Sequence, residues 1–244
     1  MNVLALDTTT RAGSVALIVD DRVVDERRGD ATRSHAERLP NELLDVGSAH
    51  GVAVGDVDLF AVAAGPGSFT GLRIGIATVQ GLAFVGRRRV VAVSALDALA
   101  HVAASTVEPG AIVAAWVDAQ RHDVYAALYR VGAAPAFSPE RLTMIGVPIV
   151  GEPATLIEAW PADGRPLPAV CIGDGAVRYA DAIAARASAV RVGGAPLLAA
   201  AIGRLAVVRA QRGESVDPAA IQPLYVRRPD AEVDRERRAA QAEP

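Results

Sequence analysis

The chain has 244 residues, 51% apolar and only 4% aromatic, enough for one large domain or two small ones around a sizeable core. Its formal net charge is −3 and it contains no lysine. That argues against non-specific nucleic-acid binding and excludes a Schiff-base or P-loop lysine, although a GC-rich coding bias would also remove lysine. Cys171 is the only cysteine, and neither a signal-peptide pattern nor an uninterrupted apolar run of membrane-spanning length is evident. These observations exclude a disulfide framework and a thiolate metal site, and predict a cytoplasmic protein with no membrane association.

Val3 to Leu6, Ser14 to Val19 and Val23 to Arg27 read as three short strands, with Asp20-Asp21 as the tight turn between the last two. Ser34 with Glu37 three residues on is a capping-box pattern that opens a helix. Leu39, Leu43 and Val46 lie near one face of it, and Gly51 lies just beyond it. A strand over 57–63, a helix over 72–84, a strand over 90–93 and a helix over 96–104 complete the order βββαβαβα.

The second half predicts the same order. Strands cover 111–117, 124–131 and 142–150, the last blurred by Gly146 and Pro148, and a helix covers 153–160. A strand at 170–172 meets the turn Gly173-Asp174-Gly175, then a helix over 176–186 and a strand over 190–192. Pro196 and Gly213 bracket a final helix over 197–211. The expected fold class is therefore α/β: two tandem ribonuclease-H-like lobes, each a mixed sheet with helices on both faces. The expected division is 1–104, carrying partner-binding helices, then 105–226, then a charged tail over 227–244 that is mobile, or helical only when bound.

Residues 64–75, Ala-Gly-Pro-Gly-Ser-Phe-Thr-Gly-Leu-Arg-Ile-Gly, are the most specific stretch. A strand leads in and a helix leads out, so backbone N–H groups and a helix N-terminus point at whatever lies above the turn. Gly65 and Gly67 allow close backbone approach. The stretch is not a P-loop, because no Lys-Ser or Lys-Thr pair follows, and its glycine spacing is wrong for a dinucleotide site. The helix carries Gly71, Gly75 and Thr78 along one side and Ala77 and Gly81 along another. Each glycine weakens a helix by roughly 1 kcal/mol relative to alanine, so packing must offset it. One side must rest on the chain's own sheet. The other, with the first helix, is a surface suited to a partner. The residues assigned to that interface are Leu39, Leu43, Val46, Gly71, Ile74, Gly75 and Thr78. Gly75→Arg is expected to abolish pairing and leave the lone fold intact.

Leu6-Asp7-Thr8-Thr9, the glycine-rich stretch, Val117-Asp118-Ala119 with Val124-Tyr125, Gly173-Asp174-Gly175, and Pro223-Leu224-Tyr225-Val226-Arg227 together resemble the bacterial TsaB (YeaZ) family. The resemblance runs from Met1 to about Arg227. The glycine-rich stretch is specific to this family and to its larger relative TsaD, while the others are weaker alone. The resemblance implies a two-lobed fold of the actin, sugar-kinase and Hsp70 type. It implies a role in forming threonylcarbamoyladenosine beside the anticodon of tRNAs that read codons starting with adenine. In that family TsaD transfers the threonylcarbamoyl group from an adenylate made by TsaC. TsaB is the non-catalytic partner of TsaD, the ATPase TsaE joins them, and TsaB alone can form a homodimer through the same surface. The implied contact with tRNA is through the complex only.

TsaD-like enzymes carry a metal-binding His-x-x-x-His pair after the strand that follows the glycine turn. The matching positions here are Ala95 and Leu99, which cannot ligate a metal. His35, His50, His101 and His122 form no such pair, and His101 reads as a solvated or capping residue. A metallopeptidase reading fails for the same reason. Kinases of the implied fold hold phosphates between two glycine-bearing hairpins. The first here, Asp7 to Gly13, keeps an acid and hydroxyls. The second, Asp118 to Asp123, has no glycine, and its acids repel phosphate unless a metal intervenes. Asp7, Thr8, Thr9, Gly65, Gly67, Ser68 and Asp118 are thus expected to be the remnant of a nucleotide site. No catalytic residue, metal or cofactor is expected in the lone chain, and ATP or ADP only within a complex. Asp7 reads equally well as a turn acid bonding its own loop. The alternative function is an ATP-dependent ATPase or phosphotransferase of the same fold. Arg87-Arg88-Arg89 and the tail arginines read as solvated faces, or as phosphate contacts within a complex.

Overall fold

The computed structural model describes residues 1–161, 164–224 and 226. The tail expected over 227–244, with Tyr225 and Arg227, lies outside the described residues.

Among the described residues, ten strands form two five-stranded sheets. The first contains β1 (Asn2–Asp7), β2 (Ser14–Val19), β3 (Arg22–Arg28), β4 (Leu59–Gly65) and β5 (Arg89–Ser94), in the order β3-β2-β1-β4-β5. The second contains β6 (Ile112–Asp118), β7 (Val124–Val131), β8 (Leu142–Gly151), β9 (Val170–Ile172) and β10 (Arg191–Val192), in the order β8-β7-β6-β9-β10. In each sheet the first three strands pair antiparallel and the last two join in parallel. This is the ribonuclease-H-like arrangement, present twice. The residues explain the order. β4, Leu-Phe-Ala-Val-Ala-Ala-Gly, is buried along its whole length, as a strand covered on both faces must be. β3, Arg-Val-Val-Asp-Glu-Arg-Arg, puts charge on an edge that would otherwise invite another strand.

The helices are α1 (His35–Ser48), α2 (Phe69–Gly86), α3 (Ala95–Ala104), α4 (Pro153–Glu158), α5 (Asp174–Arg178), α6 (Ala180–Arg186) and α7 (Ala199–Gln211). One core cluster lies between the first sheet and α1 and α2, and another between the second sheet and α4 to α6. The largest lies between the sheets. There the two halves exchange helices. α3, from the first half, packs chiefly on β6, β7 and β9, while α7, from the second, packs on β1, β2, β4 and β5. The two helices touch each other. Asp97 on α3 ties the junction: its carboxylate accepts from the Tyr129 hydroxyl (2.8 Å) and from Arg209 on α7 (3.2 Å).

After α7 the chain returns along the first lobe. Val216 bridges to Val90, and Gln80 on α2 donates to the carbonyls of Pro218 (2.9 Å) and Ile221 (3.4 Å). The Leu224 N–H donates to the Ala64 carbonyl at 2.7 Å. The expected division after residue 104 assigns each sheet to one half, but α3, α7 and this return segment cross it.

Four details differ from the sequence expectations. The helix after the glycine turn starts at Phe69, because the Ser68 hydroxyl caps it by accepting the Gly71 N–H. The helix expected over 176–186 is two helices broken at Tyr179 (φ −110°, ψ 26°). β8 is one strand from Leu142 to Gly151, but its register with β7 shifts around Gly146 and Pro148, an irregularity that an edge strand can accommodate. His101 is neither solvated nor a cap. It is 6% exposed and stacked on Phe137 with ring centroids 5.7 Å apart, and burial pushes its pKa down to about 4. By length and composition α2 could cross a membrane, but its buried side packs on β4 and the first hairpin.

Candidate functional site

An open cleft of about 1180 Å³ lies between the lobes. Its walls are the β1–β2 hairpin loop (Thr9, Thr10, Arg11), residues 32–35 at the start of α1, the glycine turn and first turns of α2, and the β6–β7 hairpin with Asp118, Gln120 and Arg121. Tyr125, Asp174, Leu224 and Val226 complete it.

Of the residues expected at a remnant nucleotide site, the cleft gathers Thr9, Gly67, Ser68 and Asp118. Asp7 and Thr8 do not line it, being 3% and 0% exposed. Gly65 (φ +111°) does not line it either; the Leu224 carbonyl sits 3.0 Å from where its Cβ would be. The Asp7 carboxylate accepts from the Thr9 N–H (2.8 Å) and hydroxyl (2.6 Å), which makes it a turn acid of its own loop. Burial pushes its pKa up to about 6 against those two hydrogen bonds.

The hairpin loop is clamped to α1. His35 Nε2–H donates to the Thr10 carbonyl (3.0 Å), so its Nδ1 accepts from Arg38 (2.9 Å). The buried Arg38 guanidinium also donates to the carbonyls of Ala12 and Arg11 and to Glu42 (2.5 Å). Burial, then the Arg38 charge, lower the His35 pKa, which keeps the imidazole neutral in this role.

On the opposite wall, Gln120 (φ +60°), Arg121 (+52°) and His122 (+68°) are all left-handed. Three non-glycine residues take the conformation that glycine would take without strain, at a cost of roughly 1 kcal/mol each. The turn is held by Asp123 N–H to Gln120 O (3.0 Å) and by the Asp118 carboxylate, which accepts from the Gln120 backbone and side chain (both 3.1 Å). Asp118 also pairs with Arg178 at 2.6 Å. Asp174 accepts the N–H groups of Asp118 (3.0 Å) and Gly175 (2.9 Å), and burial raises its pKa.

The expected partner surface needs correction. Leu39, Leu43 and Val46 are at most 1% exposed and belong to the core against the first sheet. Gly71 and Gly75 are buried against the hairpin: a Cβ would lie 2.2 Å from the Thr8 carbonyl oxygen at Gly71 and 2.4 Å from the Thr8 hydroxyl at Gly75. Gly75→Arg would therefore not leave the lone fold intact. Ile74 and Thr78 are half-buried, and the Thr78 hydroxyl donates to the Ile74 carbonyl at 2.8 Å. The other stripe faces out. Ala77 is exposed, a Cβ at Gly81 would meet nothing within 4 Å, and Phe84 and Val85 are 79% and 85% exposed.

Comparison with known proteins places this geometry. The profile described as TsaD, tRNA N6-adenosine threonylcarbamoyltransferase, matches residues 28–142. A solved Pseudomonas aeruginosa structure, described as an uncharacterized protein with similarity to peptidase YEAZ, superposes with a TM-score of 0.74. It is 34% identical and covers 93% of this chain and 99% of that one. The tRNA threonylcarbamoyladenosine biosynthesis proteins TsaB of Haemophilus influenzae and Escherichia coli are 36% and 37% identical over 132 and 130 residues. Those matches cover 51% and 53% of this chain, and it spans about half the length of these curated relatives, 52% and 55%. The chain belongs to the TsaB/YeaZ family.

Within this TsaB/YeaZ fold, sequence reasoning missed Arg11, Arg33, His35, Arg121 and Asp174 as cleft residues. Asp174 had a signal in the Gly173-Asp174-Gly175 motif, and Arg11 and Arg121 lay inside the two hairpins already singled out, Asp7 to Gly13 and Asp118 to Asp123. Arg33 and His35 had none, and only the closure of two lobes brings all five to one cavity.

Gly71→Ala is expected to lower stability by about 1–3 kcal/mol, because its Cβ meets backbone that cannot yield. Gly81→Ala is expected to raise it by up to about 1 kcal/mol. Urea unfolding of both variants checks the orientation of α2, and the reverse ranking would overturn it.

A carboxyl whose pKa is raised on folding binds more protons in the folded state, so stability falls as pH rises through that window. For Asp7 the window runs from its ordinary 3.8 to about 6. Asp7→Asn can still accept both hydrogen bonds and removes the ionisation. Its stability relative to the unsubstituted protein is expected to rise by about 2–3 kcal/mol between pH 4 and pH 7. Denaturant midpoints measured across that range check this, and a flat difference refutes the buried ionisation.

Proposed function

We propose that this chain is a non-catalytic partner subunit in the formation of threonylcarbamoyladenosine beside the anticodon of tRNA, pairing with TsaD and joined by TsaE. Family membership supports the pathway, through the names carried by its relatives. The observation that carries the non-catalytic reading is at α3. Where TsaD-like enzymes carry two histidines, this chain has Ala95 and Leu99, both packed into the core between the sheets at 0% and 2% exposure. Neither supplies a ligand, and neither reaches the cleft.

The surface offered to the partner is the outward stripe of α2, Ala77, Gly81, Phe84 and Val85, with Leu44 exposed on the neighbouring α1. Small residues in its middle let another helix approach closely, and the apolar end gains from burial. A homodimer through the same stripe is the expected state without TsaD. Nucleotide belongs to the assembled complex, where the setting is cytoplasmic.

Reconstitution tests the role. In a mixture of TsaC, TsaD, TsaE, tRNA, threonine, bicarbonate and ATP, leaving out this chain is expected to abolish the modified nucleoside. Unchanged product would refute the role. Micromolar ATP binding with turnover by the lone chain would instead support an ATPase of the same fold.

Gly81→Arg tests the interface. It is expected to leave the unfolding temperature within a few degrees, because the position opens to solvent, and to abolish co-purification with TsaD. A folded variant that still co-purifies would place the interface elsewhere.

A further inference from the structure

We propose that the mouth of the interlobe cleft binds the phosphodiester backbone of RNA directly. The proposal rests on the tRNA-modification role above and adds a contact surface to it. The exposed residues lining the cleft include Arg11, Arg33 and Arg121 and no carboxylate. They come from the first hairpin, the loop before α1 and the second hairpin, so both lobes contribute.

The acids nearby have partners, although Asp30 and Glu37 keep a charge that Arg33 faces. Asp118 pairs with Arg178 at 2.6 Å, and Asp174 accepts two backbone N–H groups. Asp30 accepts from Thr32, and Glu37 accepts from Ser34. Arg11 is oriented by its Nε–H to the Ala31 carbonyl (2.7 Å), and Arg33 by an N–H to the Glu37 carbonyl (3.2 Å). Neither is within salt-bridge distance of a carboxylate among the described residues.

The cations come from three separate segments of the rim, so one extended polyanion can meet all of them. Phe69 stands at the same rim, 43% exposed with the Arg73 guanidinium 4.0 Å from its ring centre. Arg73 thus covers one face of the ring and adds a further cation near the start of α2.

The test uses the full chain and fluorescently labelled tRNA, with anisotropy followed between about 20 and about 200 mM salt. Arg11→Gln/Arg33→Gln/Arg121→Gln is expected to weaken low-salt binding at least about tenfold and to flatten the log–log salt slope by about two to three units. A control of equal charge change elsewhere, Arg22→Gln/Arg28→Gln/Arg130→Gln, is expected to retain most of the slope. Should the first triple variant fail to fold, Arg11→Gln and Arg33→Gln alone are each expected to lower the slope by about one unit. Three results would overturn the proposal: no binding by the unsubstituted chain, equal losses in the two triple variants, or complete displacement of tRNA by millimolar ADP or inorganic phosphate. The reconstitution assay reads the role separately. Binding at the cleft with a dispensable chain would sink the role alone, and a required chain without cleft binding would sink this proposal alone.

Discussion

The contact between α2 and the first hairpin governs the rest of the molecule. Gly67, Gly71 and Gly75 present no Cβ toward Thr8 and Thr9, and at each a methyl group would lie 2.2–2.5 Å from hairpin atoms. The helix can therefore lie directly on the loop that ends β1. Its first turn then forms one wall of the cleft, and its opposite stripe is turned out of the chain. Three missing side chains thus decide both surfaces on which function can act. The helix-propensity cost of glycine is offset at Gly71 and Gly75 by this burial, whereas Gly81 has no such compensation within the chain.

The second constraint is the exchange of helices between the halves. Because α3 sits on the second sheet and α7 on the first, the interlobe core is continuous, and Asp97, Tyr129 and Arg209 pin its polar margin. Separating the lobes would expose that core. The return of the chain from Val216 to Leu224 adds a further tie, ending on the Ala64 carbonyl at the base of the glycine turn. The cleft is therefore a built feature of the fold, with walls held by hydrogen bonds on both sides. His35 and Arg38 fix one loop, and Asp118 and Asp174 fix the other.

Much of the fold was legible because its signals are local. The buried run of β4, the charged edge of β3, and the Ser34–Glu37 cap each specify an element from a few adjacent residues. The doubled order of elements could be read the same way, since periodicity and turn residues repeat in both halves. The candidate site was less legible. Asp7 looked able to face a ligand or its own turn, and the choice depended on burial. Leu39, Leu43 and Val46 formed an apolar stripe on a helix, but a stripe does not say whether the core or a partner covers it. The same ambiguity reversed the two sides of α2.

The amino-acid sequence alone determined the two-lobed α/β plan and the family. These depend on residue identity and spacing, which the chain carries in one dimension. Tertiary structure decided which face of α2 is buried, which residues line the cleft, and that Arg11, Arg33 and Arg121 share its rim. Those facts arise from the packing of elements far apart in sequence, where the energy of a contact depends on what lies opposite. The glycine-rich stretch belongs to both accounts: its residues mark the family, and only its contact with Thr8 fixes which way its helix faces.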